Sequence, residues 1–370
     1  MTTASRIPKG LFYLLLLPLT LAACGWQGWS WWSWASAPPQ TESTTTAPTQ
    51  AKTVQIQIPE GTTAQQIGRD LEAAGLIRST TAWGLWTRWL SSRDKSGSFQ
   101  AGTYELSPTE PLPQIASKIW QGEVVLKSYT IPEGWTMQQM GKYFEEQGFF
   151  SADAFVEAAK QVPRDKYSWL PEQLPLLEGF LYPDTYKFAG ELTPQAVIDQ
   201  MLDRFQQVAL PIYQQAQGKT PYSLLQWVTL ASIVEKEAVV STERPEIASV
   251  FARRLRENIP LGADPTVEYA LGIRQTPDQP LTFDQVKTPS PYNTYINAGL
   301  PPAPISSPGV ASLEASVNPA DTEYLYFVAR YDGTHVFSKT LADHEAAQNA
   351  IHSGRDAQPK ASPAPTRSPN

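Results

Sequence analysis

The segment IPEGTTAQQIGRDLEAAGLI (Ile58–Ile77) recurs as IPEGWTMQQMGKYFEEQGFF (Ile131–Phe150), and the two copies are identical at ten of twenty positions. Identity of this extent indicates a duplicated structural unit. Each copy follows an alternating apolar stretch, Val54–Ile58 or Val125–Ile131, which is typical of a β-strand. We therefore expect the same strand, turn and helix to occur twice.

Both copies also carry signals for the ends of their helices. A threonine three residues before a glutamine predicts a capping box, in which hydroxyl and amide bind free backbone donors. A glycine after the last turn predicts a helix stop. The caps are Thr63 with Gln66 and Thr136 with Gln139, and the stops are Gly75 and Gly148.

Patterns elsewhere in the chain predict an α+β fold, in which a small α+β module precedes a helix-rich α+β domain with a small antiparallel sheet. A strand at Phe99–Leu106 and a short helix ending near Gly122 complete the first module. The later helices are expected at 151–160, 194–217, 223–238 and 244–256. Strands at Tyr324–Arg330 and Thr334–Lys339 flank the turn residues Asp332 and Gly333.

Composition excludes several classes of function. The 36 acidic and 29 basic residues give a net charge of -7, without the basic excess that nucleic-acid binding needs, so no nucleic-acid partner is expected. The chain has one cysteine and three widely separated histidines, which favour neither a disulfide framework nor a zinc site. We expect no metal and no cofactor.

The N-terminus resembles an export signal. Arg6 and Lys9 precede an apolar run that ends in LAAC, and Cys24 is therefore a lipidation candidate within a lipobox-like sequence. A single-span membrane anchor is the alternative, because the Trp-rich run that follows is typical of a membrane interface. Both alternatives place the body of the protein outside the cytoplasm, attached to the cell membrane.

These observations predict five regions. Residues 1–24 are a signal or membrane anchor, and residues 25–52 are a disordered tether, first Trp-rich and then rich in Pro, Ser and Thr. Residues 53–127 form the first domain and 128–352 the second. Residues 353–370 are a disordered tail.

The second domain contains the apolar helix SLLQWVTLASIVEKEA (Ser223–Ala238), which ends in two glutamates. Helical spacing puts Glu235 and Glu237 on opposite flanks, roughly 160° apart, and turns Lys236 toward solvent. The two carboxylates therefore cannot act together on one substrate atom. The pattern leaves open whether either glutamate is a general acid with a raised pKa or is paired with an arginine, for which Arg244, Arg253 and Arg254 are candidates.

Several motifs resemble the endolytic murein transglycosylase family, the MltG or YceG-like proteins. The resemblance is carried by LASIVEKEA, by both IPEG segments, and by the segments 178–188, 243–272, 288–315 and 324–338. It runs in order from about residue 54 to 350. The family implies a membrane-anchored cell-wall enzyme with a LysM-like module at 53–127, ahead of a catalytic domain.

The resemblance also implies chemistry. The family's catalytic glutamate corresponds to Glu237, and its reaction cleaves the β-1,4 bond between N-acetylmuramic acid and N-acetylglucosamine to leave 1,6-anhydro ends. The nucleophile belongs to the substrate, so one carboxyl suffices. The implied partners are peptidoglycan glycan strands, with strand termination beside peptidoglycan synthases.

Other polar residues of these motifs are candidates for the site. Glu235, Glu243 and Arg254 are expected to support Glu237 without touching substrate. Expected substrate contacts are Glu178, Asp264, Thr266, Tyr292, Asn293, Thr294 and Tyr295. Their alternatives are structural: a helix N-cap at Asp264, or a tight turn with buried tyrosines at Pro291–Tyr295. Two other functions stay open, a non-catalytic peptidoglycan-binding scaffold and a muramidase-type hydrolase that recruits Asp264.

Overall fold

The computed structural model describes residues 17–40, 53–94, 97–276, 279–330 and 332–356. The chain divides into two compact units, one holding the described residues up to Ser128 with Lys187–Glu191, the other holding Tyr129–Tyr186 and the residues from Leu192 onward. Helices and small two-stranded sheets make up both, which confirms the α+β class. The charged start at Arg6 and Lys9 and most of the tail lie outside the described residues.

The first unit contains helices α1 (Leu17–Ser36), α2 (Ala64–Ala73), α3 (Thr80–Arg93) and α4 (Leu112–Gln121), and strands β1 (Val54–Ile58) and β2 (Gly102–Leu106). The two strands pair antiparallel, with Val54 opposite Leu106 and Ile58 opposite Gly102. Their apolar side chains and those of α2, α3 and α4 share one core.

Helix α2 begins as its sequence predicts, but its cap is only half of a capping box. The Thr63 hydroxyl accepts a hydrogen bond from the Gln66 amide at 3.2 Å. The Gln66 side chain instead donates to Asp70, at 2.7 Å from Nε2 to Oδ1, and accepts from Arg69. Gly75 follows the helix with a φ of 69°, the expected helix stop.

Helix α3 closes the first core, although the sequence patterns did not predict it. Ser79 caps it, and the Trp83 indole Nε1 donates to the Ala64 carbonyl at 2.7 Å. A Cβ at Gly68 would lie 2.5 Å from Trp83 Cδ1, so α2 and α3 pack at a distance that only glycine allows.

Helix α1 differs from the disordered tether expected from residue 25. Trp32 stacks on Trp86 of α3 with ring centroids 5.9 Å apart, and Ala35 is fully buried in the first core. Local helix-forming sequence and this packing extend the helix to Ser36, shortly before Pro38. Cys24 is exposed on α1. Among the described residues, no helix has the length and apolar content needed to cross a membrane.

The remaining strands are β3 (Lys127–Thr130), β4 (Thr185–Phe188), β5 (Tyr326–Ala329) and β6 (His335–Ser338). The remaining helices are α5 (Met137–Glu146), α6 (Ala152–Ala159), α7 (Pro194–Ala216), α8 (Leu224–Glu237), α9 (Arg244–Arg256), α10 (Asp264–Leu271), α11 (Phe283–Val286), α12 (Val310–Val317) and α13 (Leu341–Asp356). Strand β3 pairs with β4, a strand that the sequence patterns did not predict.

The second copy of the repeat forms α5 with the full capping box. The Thr136 hydroxyl accepts from the Gln139 amide, and the Gln139 side chain accepts from the Thr136 amide at 2.9 Å. The turn before the helix is held on both sides. The Gly134 amide donates to the Ser307 carbonyl, and the Ser307 amide donates to the Trp135 carbonyl, each at 2.8 Å.

Helix α8 is the centre of the second unit. Ser223 caps it through a capping box with Gln226, and every residue from Trp227 to Val234 is buried. The sequence predicted a single apolar face, but this part of the helix is buried on all sides, because α9, α10 and α12 all pack around it. The Trp227 indole Nε1 donates to the Leu313 carbonyl of α12 at 3.0 Å.

The predicted hairpin near the C-terminus is confirmed. Strands β5 and β6 pair antiparallel, with Tyr326 opposite Ser338 and Ala329 opposite His335. Phe327 packs edge-on against Phe251 of α9, with ring centroids 5.6 Å apart. The hairpin thereby covers α9, which in turn packs on α8.

Candidate active site

The last turn of α8 presents its two glutamates to different surroundings, as helical spacing predicts. Glu235 has a side chain only 7% exposed, and its carboxylate is fully engaged. It accepts from Arg244 Nη2 at 3.3 Å, from the Ser312 hydroxyl at 2.7 Å and from the Gly309 amide at 3.1 Å. Glu235 thus joins α8 to α9 and α12. Its contact with Arg244 is the arginine pairing that the sequence left open as an alternative.

Glu237 has different surroundings. It is half-buried and makes no hydrogen bond or ion pair with any residue that the structure describes. Burial, together with the negative charges of Asp264 and Glu268, raises the pKa of its carboxyl from 4.5 to about 8, and Arg254 opposes this shift. Its place as the last residue of α8 acts in the same direction, since a helix C-terminus disfavours negative charge. The raised pKa favours the protonated carboxyl at neutral pH, the form that can donate a proton.

Asp264 is the first residue of α10, and the structure does not support its alternative as an N-cap. The cap position is Ala263, and no side chain caps the helix. The Asp264 carboxylate instead accepts from the Tyr295 hydroxyl at 2.5 Å and from Gln275 Nε2 at 3.1 Å. Tyr295 is 38% exposed, so this pair reaches the surface.

Arg254 is held rigidly beside Glu237. Its Nε donates to the Leu325 carbonyl and its Nη1 to the Leu261 carbonyl, both at 2.7 Å. The guanidinium lies 5.0 Å from the centroid of the Tyr326 ring. Because carbonyls and an aromatic face fix this cation, its positive charge stays available to a carboxylate formed at Glu237.

Four of the residues expected to contact substrate are buried or form the local scaffold. Thr266 and Thr294 are buried and share a hydrogen bond of 2.9 Å between their hydroxyls. Asn293 is buried and donates to the carbonyls of Val286 and Thr288. Tyr292 packs against Tyr269, with ring centroids 5.0 Å apart. Of the segment Pro291–Tyr295, the Tyr295 ring is the part best placed for a ligand.

Glu178 is also placed differently from the expected surface contact. It is fully buried, and its carboxyl accepts from the Met137 amide at 3.1 Å and from the Tyr269 hydroxyl at 3.1 Å. Burial raises its pKa from 4.5 to about 7, and these hydrogen bonds oppose the shift. Glu178 therefore joins the start of α5 to α10 from inside the protein and does not face a substrate.

Glu243 is engaged elsewhere in the second unit. It accepts from the His335 amide at 3.1 Å, and its Oε2 lies 2.7 Å from His335 Nδ1. The contact joins the start of α9 to β6. Glu243 thus supports the hairpin, and it makes no contact with Glu237 among the described residues.

Two residues near Glu237 were not found from the sequence. Glu268 lies one helical turn after Asp264, and this spacing of four residues could have revealed their shared face. Lys236 was expected in solvent, but it is half-buried and its Nζ lies 3.5 Å from the Gly134 carbonyl. Helical spacing could not predict the partial burial of Lys236, because this burial depends on where the second IPEG turn packs.

Comparisons with known proteins agree with the motifs. The model of the YceG-like family matches residues 56–350. The endolytic murein transglycosylase of Bacillus subtilis (strain 168) is 33% identical over 319 residues, covering 82% of this chain and 86% of that protein. The protein of the same name from Streptococcus pneumoniae serotype 2 (strain D39) is 31% identical over 322 residues, covering 80% of this chain and 57% of the relative.

A solved structure is similar as well. The crystal structure of a yceG-like protein from Listeria monocytogenes has a TM-score of 0.55 and 32% sequence identity, and the match covers 80% of this chain and 99% of that one. The family match spans most of the chain, including α8 and every residue discussed around Glu237. By sequence and by fold, this chain belongs to the YceG-like family.

Proposed function

We propose that this protein is a murein transglycosylase, a lyase that cuts peptidoglycan glycan strands. The names of its relatives in Bacillus and Streptococcus support the reaction class. The observation that carries the proposal is the setting of Glu237, a half-buried carboxyl with a raised pKa and no hydrogen-bond partner among the described residues, beside the fixed cation Arg254.

The proposed step needs one carboxyl group. Glu237 gives its proton to the glycosidic oxygen as the bond from that oxygen to the anomeric carbon of N-acetylmuramic acid breaks. The C6 hydroxyl of the same sugar attacks that carbon and forms the 1,6-anhydro ring. The hydroxyl proton passes to the Glu237 carboxylate, which restores the acid. Arg254 stabilises the carboxylate between the two proton transfers.

Roles for the neighbours follow from their contacts. Tyr295, exposed and oriented by Asp264, offers a ring for sugar stacking. Thr266 and Thr294 hold the Gly262–Asp264 turn, since the Ala263 amide donates to the Thr294 hydroxyl at 3.0 Å. We therefore assign contact with the glycan to Tyr295 and positioning to the two threonines.

Asp264 favours one other candidate function. Its negative charge is one cause of the raised Glu237 pKa, so two carboxyl groups stand close in the site. A pair of this kind can hydrolyse a glycoside, with Glu237 as acid and Asp264 activating water or acting as nucleophile. A muramidase of this type would leave reducing ends in place of anhydro ends.

The decisive experiment is mass spectrometry of peptidoglycan digested with the purified protein. We expect 1,6-anhydro ends from the wild type and loss of cleavage in Glu237→Gln. Glu257→Gln is the matched control, because Glu257 is a surface residue of the same chain paired with Arg253. Reducing ends would establish the muramidase, and binding to sacculi without new ends would establish a non-catalytic scaffold.

Finer features of the proposal concern location and partners. We propose action on nascent strands outside the cytoplasm, with strand termination beside peptidoglycan synthases. The N-terminal segment would attach the protein to the cell membrane, and the exposed Trp26 and Trp29 of α1 suit a membrane interface. The first unit, in which strands β1 and β2 enclose α2 and α3 in chain order, would serve as the LysM-like module that holds glycan.

A further inference from the structure

A groove of about 480 Å³ lies between α5 and α10 in the second unit. One wall comes from the first turn of α5, and the other comes from α10 and the segment after it. Lys236, the neighbour of Glu237 in sequence, is part of the lining. The residues that matter here are Thr136, Gln138, Lys236, Glu268, Tyr269 and Arg274.

Two cations in this groove interact unfavourably. Burial lowers the pKa of Lys236, and the positive charge of Arg274 lowers it further. Neither side chain forms an ion pair with a carboxylate that the structure describes. Two like charges that line one concave site are stabilised when an anion binds there.

Two carboxylates attract Lys236, but they do not neutralise both cations. Glu268 Oε1 accepts a hydrogen bond from the Gln275 amide at 2.9 Å, and Glu235 is already paired with Arg244. Glu237 is neutral while protonated. The groove therefore keeps an excess positive charge, and Gln138 adds an amide that can bind a peptide group.

Murein carries carboxylates, a kind of anion that Lys and Arg side chains bind. Each muramic acid carries a short peptide next to the bond that is cut, and the carboxylates of a glycan strand belong to these peptides. We propose that Lys236 and Arg274 bind a carboxylate of this peptide, which makes the groove a recognition site for peptide-substituted strands. The inference rests on the proposed function for its choice of ligand.

Binding can be tested apart from cleavage in the full chain carrying Glu237→Gln. The probes are a disaccharide muropeptide with free peptide carboxylates and the same compound with those carboxylates amidated. Calorimetry should give a Kd about tenfold lower for the free acid, as expected for one charge-assisted contact. Arg274→Gln should remove this preference, and Lys236→Gln should reduce it.

Arg256→Gln is the matched control, because Arg256 is an exposed arginine that does not line the groove. It should leave the preference intact. Equal binding of the two compounds, or an equal effect of the control, would overturn the proposal. If the variant prefers the free carboxylate but the wild type produces no new glycan ends, the carboxylate site is supported and the transglycosylase activity is refuted. If the wild type cleaves glycan but the variant shows no preference, the carboxylate site is refuted and the proposed activity stands.

Discussion

Replacing Glu178 with glutamine should change how stability depends on pH. Glu178 is fully buried, and its pKa is raised from 4.5 in the unfolded chain to about 7 in the folded protein. Between these values the folded state holds a proton that the unfolded state has released. Stability is therefore greatest below the unfolded pKa and is lost as the pH rises through about 7.

The size of the effect follows from the two pKa values. Between about pH 5 and about pH 8, ionisation of Glu178 should cost the wild type about 2.5 kcal/mol of unfolding free energy. Glu178→Gln stays neutral and keeps an oxygen that can accept from the Met137 amide. The variant should therefore gain about 2.5 kcal/mol relative to wild type over this range.

Urea unfolding of both proteins across this pH range measures the difference. Glu237 also has a raised pKa, but it is present in both proteins, so its contribution cancels. Tyr269→Phe removes a hydrogen bond that lowers the Glu178 pKa and should steepen the pH dependence. Parallel pH profiles for wild type and Glu178→Gln would refute the reasoning, and Glu257→Gln serves as the exposed control.

Three further predictions concern activity and packing. Glycan cleavage should fall as the pH rises above about 8, because Glu237 then loses the proton it donates, and a pH–rate profile checks this. Glu235→Ala should lower the free energy of unfolding in urea by roughly 3 kcal/mol, because it leaves Arg244 buried without its carboxylate partner. A loss below about 1 kcal/mol would mean that Arg244 pairs with another anion. Gly179→Ala puts a Cβ 2.4 Å from Pro304 Cβ at a φ of +81°, whereas Gly148→Ala has the same sign of φ (+75°) in open space. The Gly179 variant should lose at least about 2 kcal/mol more than the Gly148 variant in thermal unfolding, and equal losses would contradict the described packing.

Local signals in the sequence predicted much of the fold. The box at Thr136 and Gln139, the left-handed stop at Gly148 and the hairpin at Tyr326–Ser338 are all confirmed, because each depends on residues close together in the chain. The strand β4 was missed because its pairing with β3 depends on contacts more than fifty residues apart, such as Thr130 with Thr185.

The candidate site was harder to read. Helical spacing separated Glu235 from Glu237, and the contacts of each agree with that separation. Spacing could not say which of the two meets an arginine, because Arg244 arrives from the next helix. Nor could it show that Glu178 is enclosed, since its burial depends on Met137 and Tyr269, each more than forty residues away along the chain.

The two IPEG turns differ in how many contacts surround their glycines. A Cβ at Gly61 would meet nothing within 4 Å, whereas Gly134 is bonded to Ser307, and its carbonyl lies 3.5 Å from Lys236 Nζ beside the candidate acid. A substitution at Gly61 therefore strains only the local backbone, through its φ of +77°. A substitution at Gly134 would also disturb the groove lined by Lys236 and the end of α8. The two turns are alike in sequence, but the second is tied to the candidate site, and we expect it to tolerate fewer substitutions than the first.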